Sequence, residues 1–510
     1  MTNSLTLLPA PASRKSDFFL YLAVFVLFEC VYLLFAAGHL YTVDSVEIYR
    51  TAESLVRDGD LEIVRPLPLR GVDTQHFYSK YGIGEVALAI PLYLLGDAVT
   101  VRAPDPLPAL FQRAYARGFG GDPRIFFVSL LNGLVTAAAC LVLFHIVGLL
   151  GFRKRTALGV ALIYGFSTFA LQQARDLFQH PLEALMLLAS FDGLLRYRAR
   201  GGAPAALLSG AALSYAVLTR LSSLVVLPVF AIAFLAVAWR RGPGPAKREK
   251  GDPRLPVRAL FAFFLPLVLG AGVQLVFNAV RFGSPFLFGY LSLYDRRAFS
   301  GSFLIGLYGF FFSAGRSVFL YAPPVLAAAF AWPRFLKRFP LMAWTGLIAA
   351  GGILVLYARW SAWEGGWCWG PRFLLPAVPF LLLPAAIILE EGGMRAKMLL
   401  AGLVLAGLFV QLPGGLIDYN PIYYDWVDMR LNPPEIYLYA PRLSPVAEHW
   451  RALLAGRHLD LWILDVQSRI GWPALLAVLA PIALAGTWAV WTLRKRLRPA
   501  ALVDVPAGDQ

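Results

Sequence analysis

A carboxylate at the end of a membrane helix, followed along the chain by isolated cations, can take a proton and hold an anion. Asp44 has that position: the apolar run LYLAVFVLFECVYLLFAAG (20–38) ends, and HLYTVDSVEIYRTAESLVRDGDLEI (39–63) begins. Within hydrogen-bond reach of a nucleophile, one carboxylate suffices as general base. Lys80, Arg220, Arg316 and Arg372 are the matching candidates for holding an anionic group, the lysine by point charge and the arginines by a bidentate fork. Each residue also has a plain structural role. Asp44 could cap the next helix, favoured by the helix dipole. Arg220, in LTRLSS, could snorkel to an interface, and Arg372 could pair with Glu364. Arg316, in SAGRS, has small neighbours that would let an anion reach the backbone. Glu29, an acid inside an apolar run, is a functional candidate or a partner for a neighbouring helix.

The elements that must carry these residues are membrane helices. Hydrophobic residues are 58% of the 510 and charged residues 15%, with long apolar runs from end to end. That composition in a soluble core would leave large exposed apolar patches, whereas a bilayer accepts them. The first run, about 18 to 37, follows Arg14 and Lys15 as a signal peptide would. It is too long for a signal core and lacks a small-residue cleavage site, so it is expected to remain as a helix. Cys30, Cys140 and Cys368 are scattered and support neither a disulfide framework nor a zinc motif.

Basic clusters GFRKR (151–155), RYRAR (196–200), WRRGPGPAKREKGDPR (239–254), WPRFLKRF (332–339), MRAK (394–397) and RKRLR (494–498) punctuate the runs. The positive-inside rule puts all of them in the cytoplasm. Twelve spans satisfy it, near 18–37, 124–150, 157–173, 181–195, 203–218, 221–239, 258–280, 317–332, 341–357, 372–389, 396–412 and 471–493. The expected fold is therefore an all-α polytopic membrane protein, with cytoplasmic tails at 1–17 and 494–510. GEVALAIPLYLLGDAV (84–99) is apolar but short and contains Pro91, and a full crossing would invert every later cluster. It is expected to be re-entrant or interfacial. The loop 38–123, the ARDLFQHP turn (174–181), Thr219-Arg220, 281–316, 358–372 and a polar segment at 413–470, large enough for a small cap, then lie outside.

From Val43, the apolar positions Val46, Tyr49, Ala52, Leu55 and Val56 recur three or four apart and Gly59 supplies a stop. This spacing predicts an amphipathic juxtamembrane helix on the outer surface. Glu47, Glu53, Asp58, Asp60 and Glu62 read as its solvated face.

Asp44, Asp60 with Gly59 before it, and FYSKYGIG with Lys80 together resemble the first extracytoplasmic loop of the GT-C membrane glycosyltransferases, in the branch of protein O-mannosyltransferases and the aminoarabinose transferase of lipid A. FNAVRFGSPFLFGY (277–290), GLYGFFFSAGRSVFLYAPP (306–324) and WEGGWCWGPRFLLPAVPF (363–380) are similar to stretches of its bacterial members. The likeness covers most of residues 20–390. It implies a GT-C core over 18–412 with the active site facing the periplasm or exterior, in a bacterial inner membrane. Asp44 takes the position of the general base. Departures are Ser45, where relatives often place a second acid, and Tyr81, where a proline commonly follows the lysine. Asp176 or His180 falls near the position of a second acid.

The resemblance implies transfer of a sugar from a polyprenyl-phosphate donor to a lipid, glycan or protein. The leaving phosphate monoester is a weak base needing positive charge rather than a strong acid. One carboxylate favours a single inverting displacement, because retention would want a second about 5 Å away. Lys80, Tyr81, His180, Arg220, Arg316, Glu364, Trp367 and Arg372 are the expected substrate contacts. The tryptophans Trp360, Trp363, Trp367 and Trp369 form either an interfacial belt or, with their glycines, packing around a sugar or prenyl chain. No cofactor is specified; divalent metal use varies in the family. The bilayer is a partner and nucleic acid is not, while oligomeric state is open. The rival reading is a flippase or transporter of the lipid-linked sugar. Against it stand the lack of a two-fold hydropathy repeat and the gathering of ionisable groups at one face.

Overall fold

The computed structural model describes residues 14–63, 69–70, 76–102, 121–241, 256–289, 298–428 and 434–497. The expected tails, apart from 14–17 and 494–497, and most of the basic loop 239–254 lie outside the described residues. The chain is all-α, and among the described residues one small sheet pairs Leu69–Arg70 with Phe77–Tyr78, antiparallel. Among the described residues, seven helices are long and apolar enough to cross a membrane: Phe18–Phe35, Ile83–Arg102, Pro123–Leu149, Val257–Phe282, Pro340–Ala358, Met394–Leu416 and Trp472–Arg496. Six of them coincide with expected spans. Several other expected spans are short or broken. The expected 317–332 span divides into Val318–Tyr321 and Pro324–Arg338, and 372–389 into a 3-10 turn, Val378–Leu382 and Ala385–Glu391. Pro323, Pro324, Pro379 and Pro384 stand at these breaks, where a missing N–H cannot continue the ladder.

The helices define two ends. At one, Arg153 N donates to Glu390 (2.8 Å), Arg155 Nε to the Leu497 carbonyl (2.5 Å), and Arg338 pairs with Glu391. The basic clusters within the described residues meet there. The other end carries Asp44, Asp176, Arg220 and Arg372, which separates the candidate chemistry from the basic face.

At this second end Val43–Arg57 forms as its sequence demands. Thr42 is extended and its Oγ accepts from Ser45 N (3.2 Å), so Thr42 and not Asp44 is the cap. The helix stops at Asp58, before Gly59 at φ +72°. Val46, Ile48, Tyr49 and Ala52 are buried. Glu47, expected on the solvated face, is buried too: three residues beyond Asp44 it shares that residue's face. Ile83–Arg102 is longer than the apolar stretch that announced it, with Pro91 inside. Gly84 lies against Thr219 at the end of Ala203–Thr219, and Gly96 against Arg124 at the start of Pro123–Ser129. Those contacts, about 18 Å apart at 1.5 Å per residue, both belong to the Asp44 end. The helix therefore runs across that end, although its length would suffice to cross.

The expected cap begins later than 413, because residues to Leu416 continue the Met394–Leu416 helix. From Ile417, four helices (Tyr419–Asp428, Pro434–Tyr439, Pro445–Leu454 and Trp462–Arg469) close over the Asp44 end. Ile417 bridges Leu459, Trp462 N donates to Ala36 O (3.0 Å) and Trp462 Nε1 to Leu33 O (2.6 Å).

Candidate active site

A cavity of about 440 Å³ opens at this end, within the size range of small-ligand sites. Asp44, Lys80, Tyr81, Arg220, Glu364 and Arg372 line it, brought from five separate segments. The Asp44 carboxylate lies 3.6 Å from Lys80 Nζ and 3.1 Å from Arg372 NH1, with side-chain exposures of 22%, 13% and 12%. Burial would raise its pKa, but Arg372, Lys80 and a hydrogen bond from Tyr81 outweigh burial and hold it below the usual value. At neutral pH Asp44 is a carboxylate. Arg372 thus pairs with Asp44, and its guanidinium lies over the Phe178 ring at 4.1 Å.

Lys80 is positioned by what surrounds its turn. Glu47 Oε2 accepts from Ser79 Oγ (3.0 Å) and from Lys80 N (3.4 Å). Burial lifts the Glu47 pKa to about 6 despite nearby Lys80. Arg281, 2% exposed, donates to the carbonyls of Ser79 (2.6 Å) and Tyr81 (3.1 Å) and lines the cavity. Gly289 packs on the Lys80 backbone so closely that a Cβ would come within 2.6 Å of its Cα. Opposite, Arg220 pairs with Glu183 (3.2 Å) and donates to Tyr357 Oη (2.7 Å). It is a buried, anchored cation rather than a snorkelling one.

Four expected residues do not reach the cavity wall. Asp176 is buried behind it, with Oδ1 accepting from Ser45 Oγ (2.7 Å) and Oδ2 from Tyr419 Oη (2.5 Å). Burial raises it to about 6 against those bonds. With both oxygens engaged, it holds the turn carrying Asp44 and ties that turn to the cap. His180 is buried between the Phe178 and Phe373 rings, and among the described residues neither ring nitrogen has a hydrogen-bond partner. Arg316 is fully buried and donates to the carbonyls of Glu364 (2.5 Å), Gly315 (2.8 Å) and Gly366 (2.6 Å) and to Tyr423 Oη (3.1 Å). Its fork shapes the glycine turn, where Gly365 and Gly366 have positive φ, and is spent on backbone rather than on an anion. Trp367 stacks on Tyr423 of the cap (5.4 Å), Trp369 is buried on Gln411 (2.9 Å), and of the four tryptophans Trp360 lines the cavity.

The sequence reading missed Arg281, Glu47 and Tyr419. Glu47 had a signal in its three-residue spacing from Asp44; Arg281 looked like any cation ending an apolar run. Tyr419 sits 375 positions from Asp44 with no motif to link them.

Among the described residues, the acids lining the cavity are Asp44 and Glu364, beside Lys80, Arg220, Arg281 and Arg372, a donor set that does not fit a divalent metal. Among the described residues, the ligand-type group close enough to share an ion is His39, Asp418 and Asp460, all within 4.8 Å, and none of them lines the cavity. There Asp460 already bonds His39 Nε2 (3.0 Å), Tyr41 and Arg175 (3.2 Å).

No protein-family model matches the chain. No curated protein matches it either. Among solved structures the chain is similar to ArnT from Cupriavidus metallidurans in the apo state, with TM-score 0.48 and 16% identity over 96% of this chain and 79% of that one. It is also similar to the Archaeoglobus fulgidus oligosaccharyltransferase in the apo form, with TM-score 0.49 and 14% identity over 86% of this chain; it spans 64% of that enzyme's length. Likenesses this distant assign no residue a role.

Proposed function

We propose that the chain is a membrane glycosyltransferase that moves a sugar from a polyprenyl-phosphate donor to a hydroxyl or amine, with Asp44 as general base. The observation that carries the reading is the Asp44 carboxylate beside Lys80 and Arg372 on one cavity wall. The acceptor atom bonds to the anomeric carbon as the carbon–oxygen bond to phosphate breaks, the electron pair leaving with the phosphate and the acceptor proton passing to Asp44. The leaving group is a weak base, so cations serve it better than an acid.

Asp44 and the phosphate compete for the same cations. In the resting site the carboxylate neutralises Lys80 and Arg372; a donor phosphate would draw them off, raising the basicity of Asp44 as the donor seats. The apolar part of the wall, with Val217, Leu221, Leu224, Val225 and Leu356, offers a surface for the prenyl chain.

The test is transfer of radiolabel by purified protein in proteoliposomes, from a panel of polyprenyl-phosphate sugars to membrane lipids, glycans and proteins, with the anomeric configuration of the product read by NMR. Transfer with inversion is expected. Label that crosses the bilayer still attached to its prenyl phosphate, with no transfer, would replace this reading with a transporter.

A further inference from the structure

At the basic end, opposite the active-site cavity, a second recess of about 610 Å³ lies between the helices Arg14–Phe35, Lys154–Phe166 and Trp472–Arg496. Its walls are Leu27, Leu158, Leu162, Val490 and Leu493, and its mouth carries Arg155 and Arg494. Apolar walls are ordinary on a membrane protein; two arginines set together at the mouth of one recess are not. Arg196 at this end pairs with Asp192 (2.6 Å), and Arg338 with Glu391. Lys495 lies over the Trp491 ring at 5.2 Å and Arg496 over Phe19 at 5.8 Å. Among the described residues, neither Arg155 nor Arg494 has a carboxylate partner. Arg155 donates Nε to the Leu497 carbonyl (2.5 Å), a bond that fixes its fork at the mouth.

The depth matches the ends of a lipid. From Arg155 to Leu162 is seven residues along one helix, about 10 Å. A phosphate at the arginines would therefore have its acyl chain beside Leu158 and Leu162. Basic pockets between membrane helices are where anionic headgroups bind. We infer that this recess holds an anionic diacyl phospholipid, with its phosphate between Arg155 and Arg494 and an acyl chain along the leucine wall. Charge selects the occupant: a zwitterionic lipid would bring its own cation to a mouth that already has two.

The experiment is native mass spectrometry of the detergent-purified full chain, incubated with phosphatidylglycerol or phosphatidylcholine of identical acyl chains. Wild type is expected to retain one phosphatidylglycerol in about tenfold preference. R155Q/R494Q should lose the preference, whereas R395Q/K397Q, which removes two exposed charges from the same end outside the recess, should keep it. Leu158→Trp fills the wall with both arginines intact and should lower retention of both lipids. The inference is overturned by a wild type without preference, by equal losses in the recess and control variants, by unchanged retention in Leu158→Trp, or by a lipid-free two-chain mass that gives the recess to a second copy.

Discussion

Replacing Asp44 by Asn separates the carboxylate's chemistry from its place in the fold. Asparagine keeps the shape and an acceptor oxygen, and Thr42 remains to cap the helix. The lost charge next to the helix N-terminus costs about 0.3–1 kcal/mol. Lys80 and Arg372 each lose an anion at 3.6 and 3.1 Å, but both line a solvent-accessible cavity. The further loss of stability is then about 1–3 kcal/mol, the cost of an under-satisfied buried group. Removing the base should lower kcat by about 10²- to 10⁴-fold. The same substitution frees two cations for the donor phosphate, so KM for the donor should fall or stay level while kcat collapses. Steady-state transfer in proteoliposomes, with folding monitored by size exclusion and thermal unfolding, reads both constants. A folded D44N variant within tenfold of wild-type kcat would refute the base. A KM that rises as steeply as kcat falls would refute the competition between Asp44 and phosphate for Lys80 and Arg372.

Asp176→Asn and Tyr419→Phe should each lower kcat about tenfold with little change in donor KM. The double variant should be no worse than the poorer single one, as expected for neighbours in one chain of hydrogen bonds; additive losses would show that the cap does not act on Asp44 through Asp176. Arg316→Lys should destabilise by about 3 kcal/mol or more, because a lysine cannot serve the carbonyls of Glu364, Gly315 and Gly366 and Tyr423 together; an unchanged unfolding midpoint would refute the shaping role. Burial alone would lower the His39 pKa, but Asp460 more than offsets it and raises it to about 9 from 6.5. A group with a raised folded pKa stabilises fully below its unfolded value and loses that stabilisation as pH rises through the folded one. Thermal stability should therefore drop between about pH 6.5 and 9, by up to about 3 kcal/mol, and His39→Gln should flatten this limb.

Some of this was written locally and some was not. The apolar runs, the basic clusters and the helix from Val43 to the Gly59 stop follow from composition, charge and spacing, because membrane partition and helix periodicity are decided over a few to some twenty residues, although the cap is Thr42 rather than Asp44. So did the candidacy of Asp44 and Lys80, as isolated charges flanking apolar segments. What those charges touch was not legible: Arg372 reached Asp44 from 328 positions away, and Tyr419 closed on Asp176 from 243. Arg316 and Arg372 are both single arginines among glycines and aromatics, and one became a backbone brace while the other faces the cavity. Sequence alone determined which groups could not rest in hydrocarbon and so had to gather at a helix end. Only the tertiary structure decided which cation met which acid, because ion pairs and hydrogen bonds depend on distances of a few ångströms that the packing of remote helices sets.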